Sequence, residues 1–234
     1  MQSSFVSPPV PDRARPVGAL MGDVLRRPGG RRALSVLSVV LFLAGVAMFG
    51  YPVGTDVYSQ VQQGHLDNQF ASPQLQQAYR VHKVPVGQVL TRLIIPQQGI
   101  NLDVLVVEGT SPAALRAGAG HYPGTPLPGD EGNVAIAGHR TTFGRPFNHL
   151  DEMHPGSLVI LETPFARYTY VAVQPFASHA NPWVVSPTDY GVVANQKGVH
   201  LLTLTTCNPK GSARERLVLR LELTTTEKLQ PKAP

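Results

Sequence analysis

Two hydrophobic patterns divide the chain. Residues 33–53 form a run of 21 positions without a charged side chain, close to the roughly 20 apolar residues a helix needs to cross the hydrocarbon layer of a bilayer. From residue 88 the pattern changes to short pieces rich in β-branched residues, at 89–95, 102–107, 133–137, 158–161, 168–173, 201–204 and 217–223. Gly, Pro, Asn and Asp bound these pieces, the spacing of a closed or sandwiched all-β domain. In the last piece Leu217, Leu219, Leu221 and Leu223 share one face while Arg216, Arg220 and Glu222 share the other, the period of a half-buried strand. Residues 118–132 predict a long turn-rich connection. The polar, Gln-rich stretch at 54–87, with Val57, Val61, Leu66, Phe70 and Leu75 interspersed, predicts a helical or partly helical spacer. The expected organisation is a disordered basic arm (1–32), a transmembrane anchor (33–53), the spacer (54–87), a β domain (88–226) and a disordered tail (227–234).

Charge sharpens the reading of the apolar run. Residues 1–32 hold six Arg against Asp12 and Asp23, a balance of +4, and the other 14 basic and 13 acidic side chains leave +1. A nucleic-acid footprint needs Lys and Arg gathered on one face of the folded domain, so no nucleic-acid partner is expected. Arg26, Arg27, Arg31 and Arg32 stand directly before the apolar run, and such positive flanks stay in the cytoplasm. The arm is therefore expected inside, the helix in the lipid bilayer of the cell membrane, and the β domain outside. A cleaved secretory signal is the alternative. The run is longer than a usual signal core, and its small residues Ala44, Gly45 and Ala47 lie within it.

Candidate chemistry begins at Cys207, the only cysteine, which rules out an intrachain disulfide. It closes the strand-like piece Leu201-Leu202-Thr203-Leu204-Thr205-Thr206-Cys207 just before Asn208-Pro209. That position suits a nucleophile with a fixed backbone, and equally a small buried hydrophobe. A thiol needs a base or a stabilising cation to react near neutral pH. Of eight histidines, His139 also sits where a strand meets a loop, after Asn133-Val134-Ala135-Ile136-Ala137-Gly138, while His121 in the turn-rich connection could line a groove. Arg216, nine residues after Cys207, could stabilise an oxyanion or belong to the solvated face. Arg214 is its rival. The histidines lack familiar zinc spacing, and the acids Asp130, Glu131, Asp151 and Glu152 are scattered, so no metal and no cofactor are expected.

Taken together, Thr203-Leu204-Thr205-Thr206-Cys207, Gly138-His139 and Arg216-Leu217-Val218 resemble the sortase family, which carries a T-L-x-T-C motif, an upstream histidine and an arginine on the last strand. Gly124-Thr125-Pro126-Leu127-Pro128-Gly129 and residues 138–144 are similar to its actinobacterial housekeeping branch, class E. The resemblance covers roughly residues 88–226. It implies a closed eight-stranded β-barrel, here preceded by a single transmembrane helix, with the site in a groove at one edge. It also implies a cysteine transpeptidase that cuts a C-terminal sorting signal between Thr and Gly through a thioester. The expected partners are exported proteins bearing that signal, of the LAxTG or LPxTG type, and a peptidoglycan precursor amine. Carried onto this chain, Cys207 is the nucleophile, His139 the general acid/base, and Arg216 the oxyanion and substrate contact. Thr206 is expected to support substrate binding, and Tyr122, Thr142 and Phe143 are candidates for shaping its pocket.

The rival readings are a pilin-polymerising sortase, an L,D-transpeptidase and a catalytically silent wall-binding domain. The first often carries an Asp-Pro-aromatic lid before the barrel, which residues 55–84 lack. The second puts Ser-x-Gly before its cysteine, where this chain has Thr-Leu-Thr-Thr. The third is opposed by the joint presence of Cys207, His139 and Arg216. Asn181-Pro182-Trp183 is expected to be a groove-side loop.

Overall fold

The computed structural model describes residues 28–174 and 180–230. Residues 1–27 of the basic arm, His179 and the final four residues lie outside the described residues. The chain divides into two units at Gly50 and Tyr51, with helix α1 assigned over Pro28–Phe70. In the first unit Val36, Leu41, Phe42 and Phe49 are exposed, and the helix is apolar and long enough to cross a membrane.

The second unit is built on nine strands, β1 (Val89–Ile95), β2 (Leu102–Glu108), β3 (Ala119–His121), β4 (Gly132–Gly138), β5 (Leu158–Glu162), β6 (Ala166–Ala172), β7 (Trp183–Val185), β8 (His200–Asn208) and β9 (Glu215–Lys228). Their order is β6-β5-β1-β2-β3-β4-β8-β9, and pairing of β6 with β9 closes eight of them into a barrel. The short β7 pairs on β9 outside that ring. β2–β3 and β4–β8 are parallel, so each needs a crossover. The first is supplied by the short helix α3 (Pro112–Ala117).

Alternation builds the interior. Val134 and Ile136 of β4, Leu202 and Leu204 of β8, and Leu217, Leu219 and Leu221 of β9 all enter one core with Leu93, Val106, Leu161 and Tyr170. The period-2 leucines of the last strand face inward as expected, although β9 runs on to Lys228, beyond the predicted start of a disordered tail.

Three further expectations are corrected by long-range pairing. The turn-rich connection contains β3, whose three residues are held between β2 and β4. Trp183 opens β7 instead of sitting in a loop, while Asn181 is buried and donates to the carbonyls of Val173 and Arg220. The presumed spacer is helical but does not stand off the domain. Leu66 of α1 and Leu75 and Ala78 of α2 (Pro73–Arg80) pack in a second core with Leu90, Leu105, Val107 and Ala114. Gln63 completes this docking. Its amide oxygen accepts the Leu105 N–H at 2.7 Å, and its amide nitrogen donates to the carbonyls of Leu105 and Ala117.

Candidate active site

The candidate residues come to one edge of the barrel because two registers coincide. In the parallel β4–β8 pair Ala135 lies beside Thr203 and Ala137 beside Thr205. Two residues further on, the same offset brings His139 level with Cys207. In the antiparallel β8–β9 pair Cys207 lies directly opposite Arg216. Directly opposed residues project to the same sheet face, and neighbouring strands lie about 4.8 Å apart. His139, Cys207 and Arg216 thus line up across three adjacent strand ends, with the thiol in the middle. Leu202 and Leu204 belong to the interior, so alternation turns Thr203, Thr205 and Cys207 to the outer face.

Local contacts fix this edge. Thr206 points inward and is buried, and its hydroxyl donates to the Gly138 carbonyl at 2.8 Å. It therefore ties the end of β4, just before His139, to the end of β8. Arg140, only 4% exposed, was not singled out by sequence, where an Arg following a strand-end His reads as an ordinary surface charge. Its guanidinium donates to the Cys207 carbonyl at 3.1 Å and to Asn208 Oδ1 at 2.6 Å, and it pairs with Asp151 at 3.1 Å. The Cys207 carbonyl and the side chains of its two neighbours, Thr206 and Asn208, are thereby tied down, while the thiol itself is free and half-buried.

Arg216, not Arg214, occupies the position opposite Cys207. One of its terminal nitrogens donates to the carbonyls of Ala213 and Glu215, which holds the guanidinium on the β8–β9 turn. His139 is half-buried. Burial pushes its pKa below the ordinary histidine value, and the positive charge of Arg116 pushes it further the same way.

The remaining sequence candidates divide into two groups. Tyr122 lies beside the site, its hydroxyl 3.0 Å from Thr205 Oγ1. Phe143 packs against His139 with ring centroids 5.2 Å apart, and the Thr142 carbonyl accepts the Arg145 N–H within the same turn. His121 is instead buried, its Nδ1 2.6 Å from Glu108 and its Nε2 2.8 Å from the Thr125 hydroxyl. The acids scattered in sequence also have separate partners, Asp130 with His82, Glu131 with the Gly198 N–H, Asp151 with Arg140 and Glu152 with His149. Among the described residues no three His, Cys, Asp or Glu side chains converge on a metal position.

The turn after His139 is conformationally strained. Phe143, Gly144 and Arg145 all have left-handed backbone, with φ of 52°, 74° and 48°. Such conformations cost an L-residue on the order of 1–2 kcal/mol each and persist where the surroundings hold them. A Cβ at 144 would also stand 2.9 Å from the Ser59 hydroxyl, so both the backbone and the space favour glycine there. A cleft of about 560 Å³ lined by Asp67, Phe70, Arg92 and Glu162 lies elsewhere and includes none of the site residues.

Residues 93–224 match the family model described as the Sortase domain. The chain belongs to the sortase family. Over 137 residues it is 36% identical to Sortase SrtE2 of Streptomyces coelicolor, covering 54% of this chain and 53% of that protein. Over 146 residues it is 31% identical to Sortase SrtE1 of the same organism, covering 57% and 40%. This sortase therefore spans about half the length of the curated relatives it matches. Among solved structures, sortase E from Streptomyces avermitilis superposes with a TM-score of 0.55 at 30% identity, covering 64% of this chain and 97% of that one. SrtF sortase from Corynebacterium diphtheriae gives 0.58 at 27% identity, covering 64% and 91%.

Proposed function

We propose that this sortase is a membrane-anchored cysteine transpeptidase of the class E housekeeping kind, with Cys207, His139 and Arg216 as its catalytic residues. The observation that supports the reading is the register that puts Arg216 opposite Cys207 on β9 and, continued past the end of β4, brings His139 level with Cys207 on the other side. In the proposed reaction the Cys207 thiolate attacks the Thr carbonyl of a sorting signal. Arg216, swung from its turn carbonyls, balances the negative charge that develops on the oxygen. The C–N bond to Gly breaks as the imidazolium of His139 gives its proton to the departing amine. An incoming amine then attacks the thioester and loses a proton to the now neutral His139, and the new amide leaves as the Cys207 sulfur is released. Peptidoglycan precursors supply such an amine, and exported proteins supply the signal. The Arg residues before the apolar run favour an inside N-terminus and an outside barrel, where both reactants reside. The segments at residues 124–129 and 138–144 and the Streptomyces relatives support the class E assignment and, with it, preference for LAxTG over LPxTG.

The test is intact-mass spectrometry of the full chain in detergent micelles, mixed with LAxTG or LPxTG peptides and an amine. The expected result is cleavage between Thr and Gly, an acyl adduct on Cys207 and an amine-ligated product, with LAxTG faster. Cys207→Ala should give none of these. Folded protein that forms neither adduct nor product with any sorting peptide would overturn the assignment.

A further inference from the structure

The α1 segment that follows the apolar run contacts the turn that carries the proposed base. Asp56 accepts the Gly144 N–H at 3.0 Å with one carboxylate oxygen and pairs with the Arg145 guanidinium at 2.8 Å with the other. Two residues on, Tyr58 meets the Phe143 ring edge-on at 6.2 Å. Ser59 stands against Gly144 so closely that a Cβ there would clash. Phe143 in turn packs on His139 and lies under the Arg116 guanidinium at 5.9 Å. Asp56 is thus joined to His139 through a single turn whose three consecutive residues are left-handed.

We propose that Asp56 is a positioning residue for His139, holding the 143–145 turn in its left-handed form so that Phe143 braces the imidazole beside Cys207. This rests on His139 being the general acid/base. Asp56 itself touches no reacting atom. Its two oxygens satisfy a backbone donor and a side-chain cation on adjacent residues, and those residues have the backbone least able to hold its shape alone. With the carboxylate removed, the turn relaxes, the Phe143 ring leaves the imidazole, and water reaches His139.

The charged and titratable groups around this turn are Asp56 and Tyr58 from α1, Arg116 from α3, Arg140 and Arg145 of the loop itself, and Cys207 from β8. Burial is the larger cause holding the His139 pKa down and Arg116 the smaller. Loss of the brace therefore raises that pKa towards the ordinary value.

The experiment compares Asp56→Ala, Asp56→Asn, Arg145→Gln and the control Asp67→Asn in the full chain in micelles. Asp67, on the same helix as Asp56, pairs with Arg92 of β1, so the control breaks a helix-to-barrel ion pair remote from the site. Two quantities are read, kcat and KM for the sorting peptide, and the His139 titration by NMR of histidine-labelled protein, assigned with His139→Gln. Asp56→Ala should lower kcat by about tenfold with KM little changed, as expected of a misplaced catalytic group, and should raise the His139 pKa. Asp56→Asn, which keeps an acceptor for the Gly144 N–H, should recover most of both, and Asp67→Asn should change neither. Should Asp56→Ala fail to fold, Arg145→Gln carries the same expectation in smaller measure. An unaltered His139 titration in Asp56→Ala and Arg145→Gln, or an equal change in Asp67→Asn, overturns the proposal. A wild-type chain that acylates with no sorting peptide counts against the transpeptidase reading, while the titration still decides the role of Asp56.

Discussion

One flank of the barrel wall is covered by helices and another is buried around a polar network, and the two flanks differ in what their outward side chains are. On β1 and β2 the outward positions include Leu90, Leu105 and Val107, which are buried beneath α1 and α2 with Leu66, Leu75 and Ala78. On β4, β8 and β9 the outward positions Asn133, Thr203, Thr205 and Arg220 are polar yet buried, with Ala135 and Val218 buried among them, and only Cys207 and Arg216 at the strand ends are half-buried. Several of these bond to one another, Thr203 donating to Asn133 and Arg220 donating to Thr203. A strand apolar on both faces demands an apolar cover, whereas buried polar positions must find hydrogen-bond partners among themselves. Access at Cys207 thus follows from its place at the end of β8, where the outward face passes from buried to half-buried.

The contrast breaks most sharply at Arg216. Arg216→Ala should lower kcat/KM by about 10²–10³, the range for loss of an oxyanion donor, with little change in thermal stability. Arg214→Ala, in the turn before β9, should leave both almost unaltered. Equal effects at the two positions would remove the register argument for the site.

On the covered flank the expectation reverses. Leu75 is 2% exposed at the docking face of α2, and Leu75→Ala should cost about 2–5 kcal/mol of stability. Activity per folded molecule should be nearly preserved. Chemical denaturation alongside a peptide-cleavage assay separates the two, and an unchanged midpoint would return 54–87 to the status of a spacer.

Gln63→Leu is a smaller version of the same test. It leaves the Leu105 N–H and the carbonyls of Leu105 and Ala117 without the side-chain partner that serves all three. A loss of about 1–3 kcal/mol is expected, read as a lower unfolding midpoint and faster amide exchange at Leu105.

The smallest effect is electrostatic. The folded-state pKa of His139 lies below its unfolded value through burial and then through Arg116. The unfolded chain therefore binds a proton first as pH falls. The His139 contribution to stability is present above the unfolded-state pKa and is lost as pH drops from there to the folded-state value. Arg116→Gln removes the lesser cause, so the His139 titration should move upward and this window should narrow. A downward or absent shift would refute the Arg116 contribution.

Much of the barrel was legible because hydrophobic alternation is a local property. Seven strands were visible as short apolar pieces, and the leucines of β9 announced their inward face. The strand-end positions of Cys207, His139 and Arg216 were legible for a related reason, since each stands where such a piece meets a loop. Thr206 was legible as part of the motif, yet its hydroxyl bonds the Gly138 carbonyl in the interior, which alternation alone would have indicated. β3 escaped because three residues with Gly at the centre carry too little pattern, and only pairing with β2 and β4 makes them a strand.

What the amino-acid order determined by itself was the apolar helix, the strand-length pieces, and the chemistry available at their ends. Tertiary structure alone decided which ends meet. Gln63 reaches a backbone group 42 residues away, Arg140 one 67 residues away, and Asp56 one 88 residues away. None of these partners leaves a mark in its neighbours' sequence. A hydrophobic period is written into consecutive residues, but a hydrogen bond between distant segments exists only once closure of the barrel and docking of α1 have set their registers.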